Sequence, residues 1–313
     1  MTEERELLRE TVAALVDKHA SPAAVRQAME SPRGYDESLW RLLCEQVGAA
    51  ALVVPEELGG AGGELADAAV VVEELGKALV PTPLLGTTLA EIALLAADDP
   101  DADALEKLAE GAAVGAVVLD PGYVVNGGIA DVVVAADGER MARWSAFTAT
   151  PAQTMDPTRR LARLEPTAAV DIGADPGLAE TAAILLAAEQ IGAASKCLDL
   201  TVEYAKDRVQ FGRPIGSFQA LKHRMADLHV AVQSARAVVD DAVTDPSTTS
   251  AALARFSASE AFSKVAAEAI QIHGGIAITW EHDIQLYFKR AHGSAQLLGP
   301  PREHLRRLES EVL

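Results

Sequence analysis

Cysteine is scarce in this chain: Cys44 and Cys197 are the only two among 313 residues. That excludes a disulfide-stapled fold and leads us to expect two buried free thiols in a reducing cytoplasm. His, Cys, Asp and Glu nowhere fall at a metal-ligand spacing. Aromatic residues are few, at 4%. No run of about 18 apolar residues occurs, so a membrane-spanning helix is not expected. The opening Met1-Thr-Glu-Glu-Arg-Glu lacks the apolar stretch of a secretory signal. Positive charge is also in deficit, 27 Lys and Arg against 46 Asp and Glu, for a net charge of −19. Such a surface repels nucleic-acid phosphates, and an anionic ligand would need a local cationic pocket.

Alanine is plentiful and favours helix. Apolar residues Leu7, Leu8, Val12, Leu15 and Val16 recur at helical spacing within Glu3 to Lys18. Further helices are expected over Ser38 to Val47, Glu64 to Leu79 and Leu84 to Ala97. Between the second and third lies the turn Val54-Pro-Glu-Glu-Leu-Gly-Gly-Ala-Gly-Gly63, whose glycines break regular structure and which a flexible loop would explain equally well. From about Ala113 the pattern turns to short β-branched runs, with Asp137-Gly138 marking a hairpin between Val132–Ala136 and Met141–Trp144. Long helical patterns then return over Leu178 to Lys206, Phe218 to Asp241 and Ala251 to Ile272, with Gly274-Gly275 able to end the last in a left-handed conformation. Shorter helices follow over Trp280 to Ala291 and Glu303 to Val312. The fold class is therefore mainly α with a small β section: a helical domain over 1–112, a reduced β domain over 113–175, and a helical bundle over 176–313.

Two stretches carry chemistry. In Tyr204-Ala-Lys-Asp-Arg-Val-Gln-Phe-Gly-Arg-Pro-Ile-Gly-Ser-Phe-Gln219, Arg208 at a helix end could reach a phosphate, and Phe211 could pack on a flat ring. Arg208 is equally what the helix dipole would place there. In Glu268-Ala-Ile-Gln-Ile-His-Gly-Gly-Ile-Ala-Ile-Thr-Trp-Glu-His282, the paired glycines admit close approach of a ligand and Gln271 offers both donors and an acceptor. A plain helix cap would also explain them. His273 is read either as a hydrogen-bonding neighbour of that ligand or as a cap. His282, His292 and His304 are read as surface or packing residues, Glu281 and Asp283 as helix-start caps, and Trp40, Trp144 and Trp280 as core.

Together, Arg-x-x-Phe-Gly-Arg-Pro-Ile, Gln-x-x-Gly-Gly and the earlier Pro55-Glu-Glu-Leu-Gly-Gly resemble the acyl-CoA dehydrogenase family along the chain. The resemblance implies a helical domain, a β domain and a C-terminal four-helix bundle. It also implies FAD, reached across a subunit boundary by Arg208, Phe211, Gln271, Gly274 and Gly275. Gln210, Ile215, Phe218 and Ile272 match weaker contributors. In that family a glutamate in a Tyr-Glu-Gly turn removes the α-proton of an acyl-CoA while the flavin accepts hydride. The same register here reads Leu297-Leu298-Gly299. A minority of the family carries its base on the first long bundle helix, where this chain has Ala182, with Ala183 at the adjoining CoA-binding arginine position. Glu180 is two residues away, about 200° around the helix.

The Thr-Glu-Pro…Gly-Ser-Asp and Trp-Ile-Thr segments that cradle a flavin in its own subunit are also missing from 113–175. Contacts given to a neighbour's flavin are thus kept, while those for an own flavin and substrate are lost. This pattern is similar to the smaller subunit of heteromeric α2β2 actinobacterial acyl-CoA dehydrogenases, many acting on CoA thioesters of steroid degradation. The implied partner is a catalytic acyl-CoA dehydrogenase subunit that holds most of the acyl-CoA. Two alternatives stay open: a homo-oligomer using Glu180, Glu281 or Asp283 as base, and a non-catalytic helical scaffold.

Overall fold

Local capping fixes where the N-terminal helices begin. The computed structural model describes residues 2–312. Helix α1 (Glu3–His19) starts where the Thr2 side chain accepts the Arg5 N–H, with three glutamates in its first turn and Lys18 and His19 in its last, matching the helix dipole. α2 (Pro22–Glu30), which hydrophobic periodicity did not reveal, is signalled by Ser21 as N-cap and Pro22 at the first position. α3 (Glu37–Val47) is capped by Asp36 and closed by left-handed Gly48.

The glycine cluster after α3 is a tight, hydrogen-bonded turn rather than a flexible loop. Gly60, Gly62 and Gly63 N–H groups donate to the carbonyls of Pro55, Val54 and Leu52. A Cβ on Gly60 would sit 1.9 Å from the Val54 carbonyl oxygen, so only glycine fits. α4 (Leu65–Lys77), α5 (Leu84–Leu95) and the short α6 (Ala102–Ala109) complete this part. Like α2, α6 escaped the periodicity reading, since eight residues give too few repeats to register.

Five strands follow: β1 (Gly115–Val118), β2 (Val124–Val125), β3 (Val132–Ala136), β4 (Arg140–Ala152) and β5 (Leu161–Ala174). They form one sheet in the order β1-β3-β4-β5-β2, with β1 and β3 parallel and the other pairs antiparallel. The hairpin at Asp137-Gly138 lies where the turn signal put it, but β4 runs well past Trp144. Residues 145–151 of β4 and 165–171 of β5 are largely exposed, and alternation of apolar and polar residues fades there. β5 pairs with β2 only at Leu161 and Ala162, so most of its outer edge carries no strand.

The last part is a bundle. α7 (Leu178–Asp207), α8 (Gln219–Thr244) and α9 (Thr248–His273) pack against one another, and α10 (Ile284–Gln296) and α11 (Pro301–Val312) pack on α9. Ser247 caps α9 in a reciprocal capping box with Ser250. α10 begins at Ile284, not Trp280. Trp280 therefore lies outside the helix and is 52% exposed, not a core residue, with Lys289 and Arg26 over its ring at 4.8 and 5.4 Å. Trp40 and Trp144 are buried.

α4 crosses α7 with backbones nearly touching. A Cβ on Gly192 would meet the Glu73 carbonyl oxygen at 2.1 Å, and one on Gly76 the Glu189 carbonyl oxygen at 2.4 Å. One apolar cluster runs through this crossing, from Val12, Trp40 and Leu75 to Cys197, Phe262 and Tyr287. Cys197 is buried and free, whereas Cys44 is free but only partly buried. Burial pushes the Cys44 thiol up to about 12. No described helix is long and apolar enough to cross a membrane.

Candidate functional site

Two places hold the residues singled out by sequence. The first is the end of the bundle where α7 and α9 terminate. Tyr204, in the last turn of α7, stacks on His273 with ring centroids 4.2 Å apart, and its hydroxyl donates to the His273 carbonyl at 3.2 Å. The two motif stretches are thereby tied together. His273 is buried and its Nδ1 lies 2.8 Å from the Ala269 carbonyl, so its part is structural. Burial, and then the nearby His282, hold its pKa below the ordinary histidine value.

Arg208 is the C-cap of α7 and exposed. Beyond it the chain makes a hairpin of β6 (Val209–Gln210) and β7 (Arg213–Pro214), secured by the Ile215 N–H donating to the Arg208 carbonyl at 2.7 Å. The two turn residues, Phe211 and Gly212, have φ of 53° and 77°. A bulky residue in the left-handed region costs about 1–2 kcal/mol. Phe211 is also 92% exposed, its ring edge-on to Phe218, over which Arg213 lies at 4.1 Å. Strain combined with exposure is not explained by the folding of this chain alone.

At the end of α9, Gln271 is exposed and Ile272 is buried. Gly274 has φ 68° and ψ −147°, a glycine-only conformation rather than the expected left-handed helical cap. No atom stands within 4 Å of a Cβ built on Gly274 or Gly275, so both face open space. Gln210 is exposed and Ile215 and Phe218 are partly buried nearby. Exposed Val209, Ile276 and Ile278 belong to the same two stretches. An exposed guanidinium, an exposed aromatic ring, an exposed amide and an open glycine pair suit a phosphate-linked nucleotide such as FAD.

The second place is the turn after α10. Leu298 has φ 61° and Gly299 φ 92°, so the chain turns here through the left-handed region with a leucine at the apex. Arg255, fully buried, holds this turn: its Nη2 donates to the carbonyls of Leu297, at 2.6 Å, and Ser294. His304 Nε2 lies 3.1 Å from the Leu298 carbonyl. Leu298 lines an open cleft of about 1010 Å³ whose walls include Tyr123, Met155, Leu161, Leu297 and His304. Ala182 and Ala183 are buried within α7.

None of the three acids considered as replacement bases lines this cleft. Glu180 accepts a long hydrogen bond from Thr248 at 3.5 Å. Glu281 is exposed outside α10. Asp283 precedes α10 but its side chain caps nothing, pairing instead with Arg26 at 2.8 Å. The carboxylates that do line the cleft are Asp120 and Glu303. Sequence reasoning missed both, because neither belongs to a motif and only the fold brings the β1–β2 turn beside α11.

The arrangement defines a class. Models of the acyl-CoA dehydrogenase N-terminal and C-terminal domains match residues 2–112 and 177–308, and the chain belongs to the acyl-CoA dehydrogenase family, oxidoreductases acting on CH–CH bonds. It is 75% identical over 312 residues to the acyl-CoA dehydrogenase IpdE2 of Mycolicibacterium smegmatis, covering 100% of both chains. Among solved structures it is similar to a chain of the ChsE4-ChsE5 complex from Mycobacterium tuberculosis, with TM-score 0.88, 26% identity, and coverage of 100% and 98%. A chain of the Tcur3481-Tcur3483 steroid ACAD, G363A variant, matches with TM-score 0.89, 26% identity, and coverage of 99% and 98%. The chain is thus an acyl-CoA dehydrogenase subunit.

Proposed function

We propose that this chain is the base-lacking, FAD-contacting subunit of a heteromeric acyl-CoA dehydrogenase. Its partner would be a catalytic acyl-CoA dehydrogenase subunit, in an α2β2 assembly that desaturates the α,β bond of a CoA thioester. The observation that carries the reading is the turn at Leu298. Its backbone makes a left-handed turn at the register where the resemblance puts the family's glutamate, and the leucine side chain there cannot accept a proton. Complementary support comes from Phe211, held in a costly conformation and left almost wholly bare. A bare aromatic side chain of this kind is the sort that anchors interfaces.

FAD, when bound, supplies the hydride acceptor. Arg208 would meet its diphosphate, Phe211 and Gln271 would flank its nucleotide end, and Gly274 and Gly275 would let the backbone come close. Gln210, Ile215 and Phe218 would complete that rim, with Ile272 fixing the end of α9 from inside. The α-proton would be taken by a carboxylate of the partner. A steroid-derived acyl group is the favoured substrate class, on the likeness to the steroid ACAD structure, and a cytoplasmic setting accords with two unpaired cysteines.

Co-purification tests the reading. Expressed alone, the chain should be nearly colourless and inactive; expressed with its partner, it should yield a yellow, active complex. Full turnover by the isolated chain would overturn it. A second reading rests on Glu303, which lines the cleft beside Leu298: a homo-oligomer with Glu303 as base. That reading requires acyl-CoA turnover by the pure chain, abolished in Glu303→Gln.

A further inference from the structure

Tyr204, His273 and His282 come from three segments, the last turn of α7, the end of α9 and the stretch before α10, and form a three-ring cluster. The Tyr204 and His273 rings stack at 4.2 Å, and His282 stands edge-on to them at 6.4 and 4.9 Å between centroids. Tyr204 is bonded at both ends to the residues expected to meet the nucleotide. Its carbonyl accepts the Arg208 N–H at 2.8 Å, and its hydroxyl donates at 3.2 Å to the His273 carbonyl, whose peptide leads into Gly274. That peptide precedes the glycine-only conformation at φ 68° and ψ −147°. The phenol thus fixes where the open glycine pair stands relative to Arg208.

Hydrogen bonding sets the tautomer of each neutral histidine. A carbonyl can only accept, so His273 Nδ1, 2.8 Å from the Ala269 carbonyl, carries the ring proton and leaves Nε2 bare. The Ile284 N–H donates to His282 Nδ1 at 3.3 Å, so there Nδ1 is bare and Nε2 carries the proton. This bond also satisfies the first amide of α10, which the Asp283 side chain does not cap.

A second proton suits neither ring. On His282 it would land on Nδ1, replace an acceptor by a donor and set two N–H groups against each other at the start of α10. On His273, 5% exposed, it would arrive in a buried place faced by Tyr204 from α7, His282 from the segment before α10 and Ala269 from its own helix. Among the described residues, the one titratable group acting on that ring is His282. The carboxylates of these elements are engaged or in solvent: Asp283 pairs with Arg26, Glu203 with Lys206 and Glu268 with Arg224, while Asp207 and Glu281 are exposed. Lys289 and Arg26, over the Trp280 ring two residues before His282, add positive charge on that side. We propose, resting on the flavin reading above, that Tyr204, His273 and His282 are positioning residues for the nucleotide. As a neutral cluster they hold Arg208 and the Gly274-Gly275 pair at one spacing. Protonation of either histidine lets the two ends part and releases the nucleotide.

The test follows flavin release from the assembled complex at pH 7.5 and at pH 5.5, and amide hydrogen exchange in the isolated chain over the same interval. A histidine of ordinary pKa, about 6.5, that must stay neutral while the nucleotide is bound raises the flavin dissociation constant about tenfold between these values. The double variant His273→Asn with His282→Asn keeps a donor toward Ala269 and an acceptor for Ile284 but takes up no proton. It should hold flavin equally at both pH values. Tyr204→Phe, which keeps the stack and loses the hydroxyl, should weaken flavin binding roughly two- to tenfold at pH 7.5. In the isolated chain, protection of the Gly274 and Ile284 amides should fall about tenfold at pH 5.5 in the parent and stay level in the double variant. Flavin held equally at both pH values by the unaltered complex, or a loss that persists in the double variant, would overturn the inference. A complex without flavin even at pH 7.5 would sink the flavin reading; exchange in the isolated chain then decides the cluster, and level protection in the parent refutes it.

Discussion

Phe211 offers the sharpest test, because its two energetic roles act on different states. In the isolated chain the residue sits at φ 53° and is 92% exposed, with one edge contact to Phe218 at 6.2 Å between centroids. Replacing it by Asn, which tolerates this conformation, relieves about 1 kcal/mol of strain. The lost edge contact costs about 0.5–1 kcal/mol. These nearly cancel, so the unfolding midpoint of isolated Phe211→Asn should stay within about 1 °C of the parent. In the assembled enzyme, an aromatic ring stacked on the nucleotide contributes about 1–3 kcal/mol. Flavin should then dissociate from the Phe211→Asn complex at concentrations about 5 to 150 times higher, followed by flavin fluorescence on dilution. Unchanged flavin retention would refute the role given to Phe211. A clear drop in the midpoint of the isolated chain would show instead that the hairpin is an internal brace.

Other expectations follow from the same geometry. Arg208→Ala should leave the isolated chain as stable as before, since the guanidinium is exposed. In the complex it should weaken flavin binding by about 1.5–3 kcal/mol, read by equilibrium dialysis. Leu298→Glu in the isolated chain should give no acyl-CoA turnover, because the proposed division of labour leaves most of the flavin cradle to the partner; activity there would contradict that proposal. His304 is buried beside Arg255 and Arg307, and its pKa is lowered to about 4 from an ordinary 6.5. Its neutral form is the folded one, so stability is fully present above pH 6.5 and is lost as pH falls from there toward 4. Urea unfolding should show a loss of about 1–2 kcal/mol between pH 7 and 5 that is absent in His304→Gln. Gly192→Ala would place a Cβ 2.1 Å from the Glu73 carbonyl oxygen, and should lower stability by about 3 kcal/mol, seen as a fall in the urea midpoint.

How far the chain could be read in advance depended on which physical signal each element carries. α7 has a long alanine-rich pattern and was legible almost to the residue, whereas α9 starts three residues before the expected Ala251, at Thr248. α2 and α6 are too short for a period to register, and only their caps, Ser21 and Asp101, mark them. Strand β4 ran on past Trp144 because its exposed half has no buried face to pattern. Trp280 was misread since a bulky aromatic suggests a core, whereas here Lys289 and Arg26 cover its ring from the surface. Within the candidate site, the pairing of the Arg208 and Gln271 stretches was legible as motifs, but the link through Tyr204 and His273 was not.

The long β4–β5 ribbon has a consequence for how copies of the chain meet. Its outer border offers unclaimed main-chain groups that another copy could extend into a growing ladder. Pro166 interrupts that border by lacking an N–H, while Arg163 and Glu165 place opposite charges on the same stretch, side by side. Both features restrain edge-to-edge pairing between copies of the chain. Pro166→Val should convert this restraint into concentration-dependent clumping, visible by light scattering.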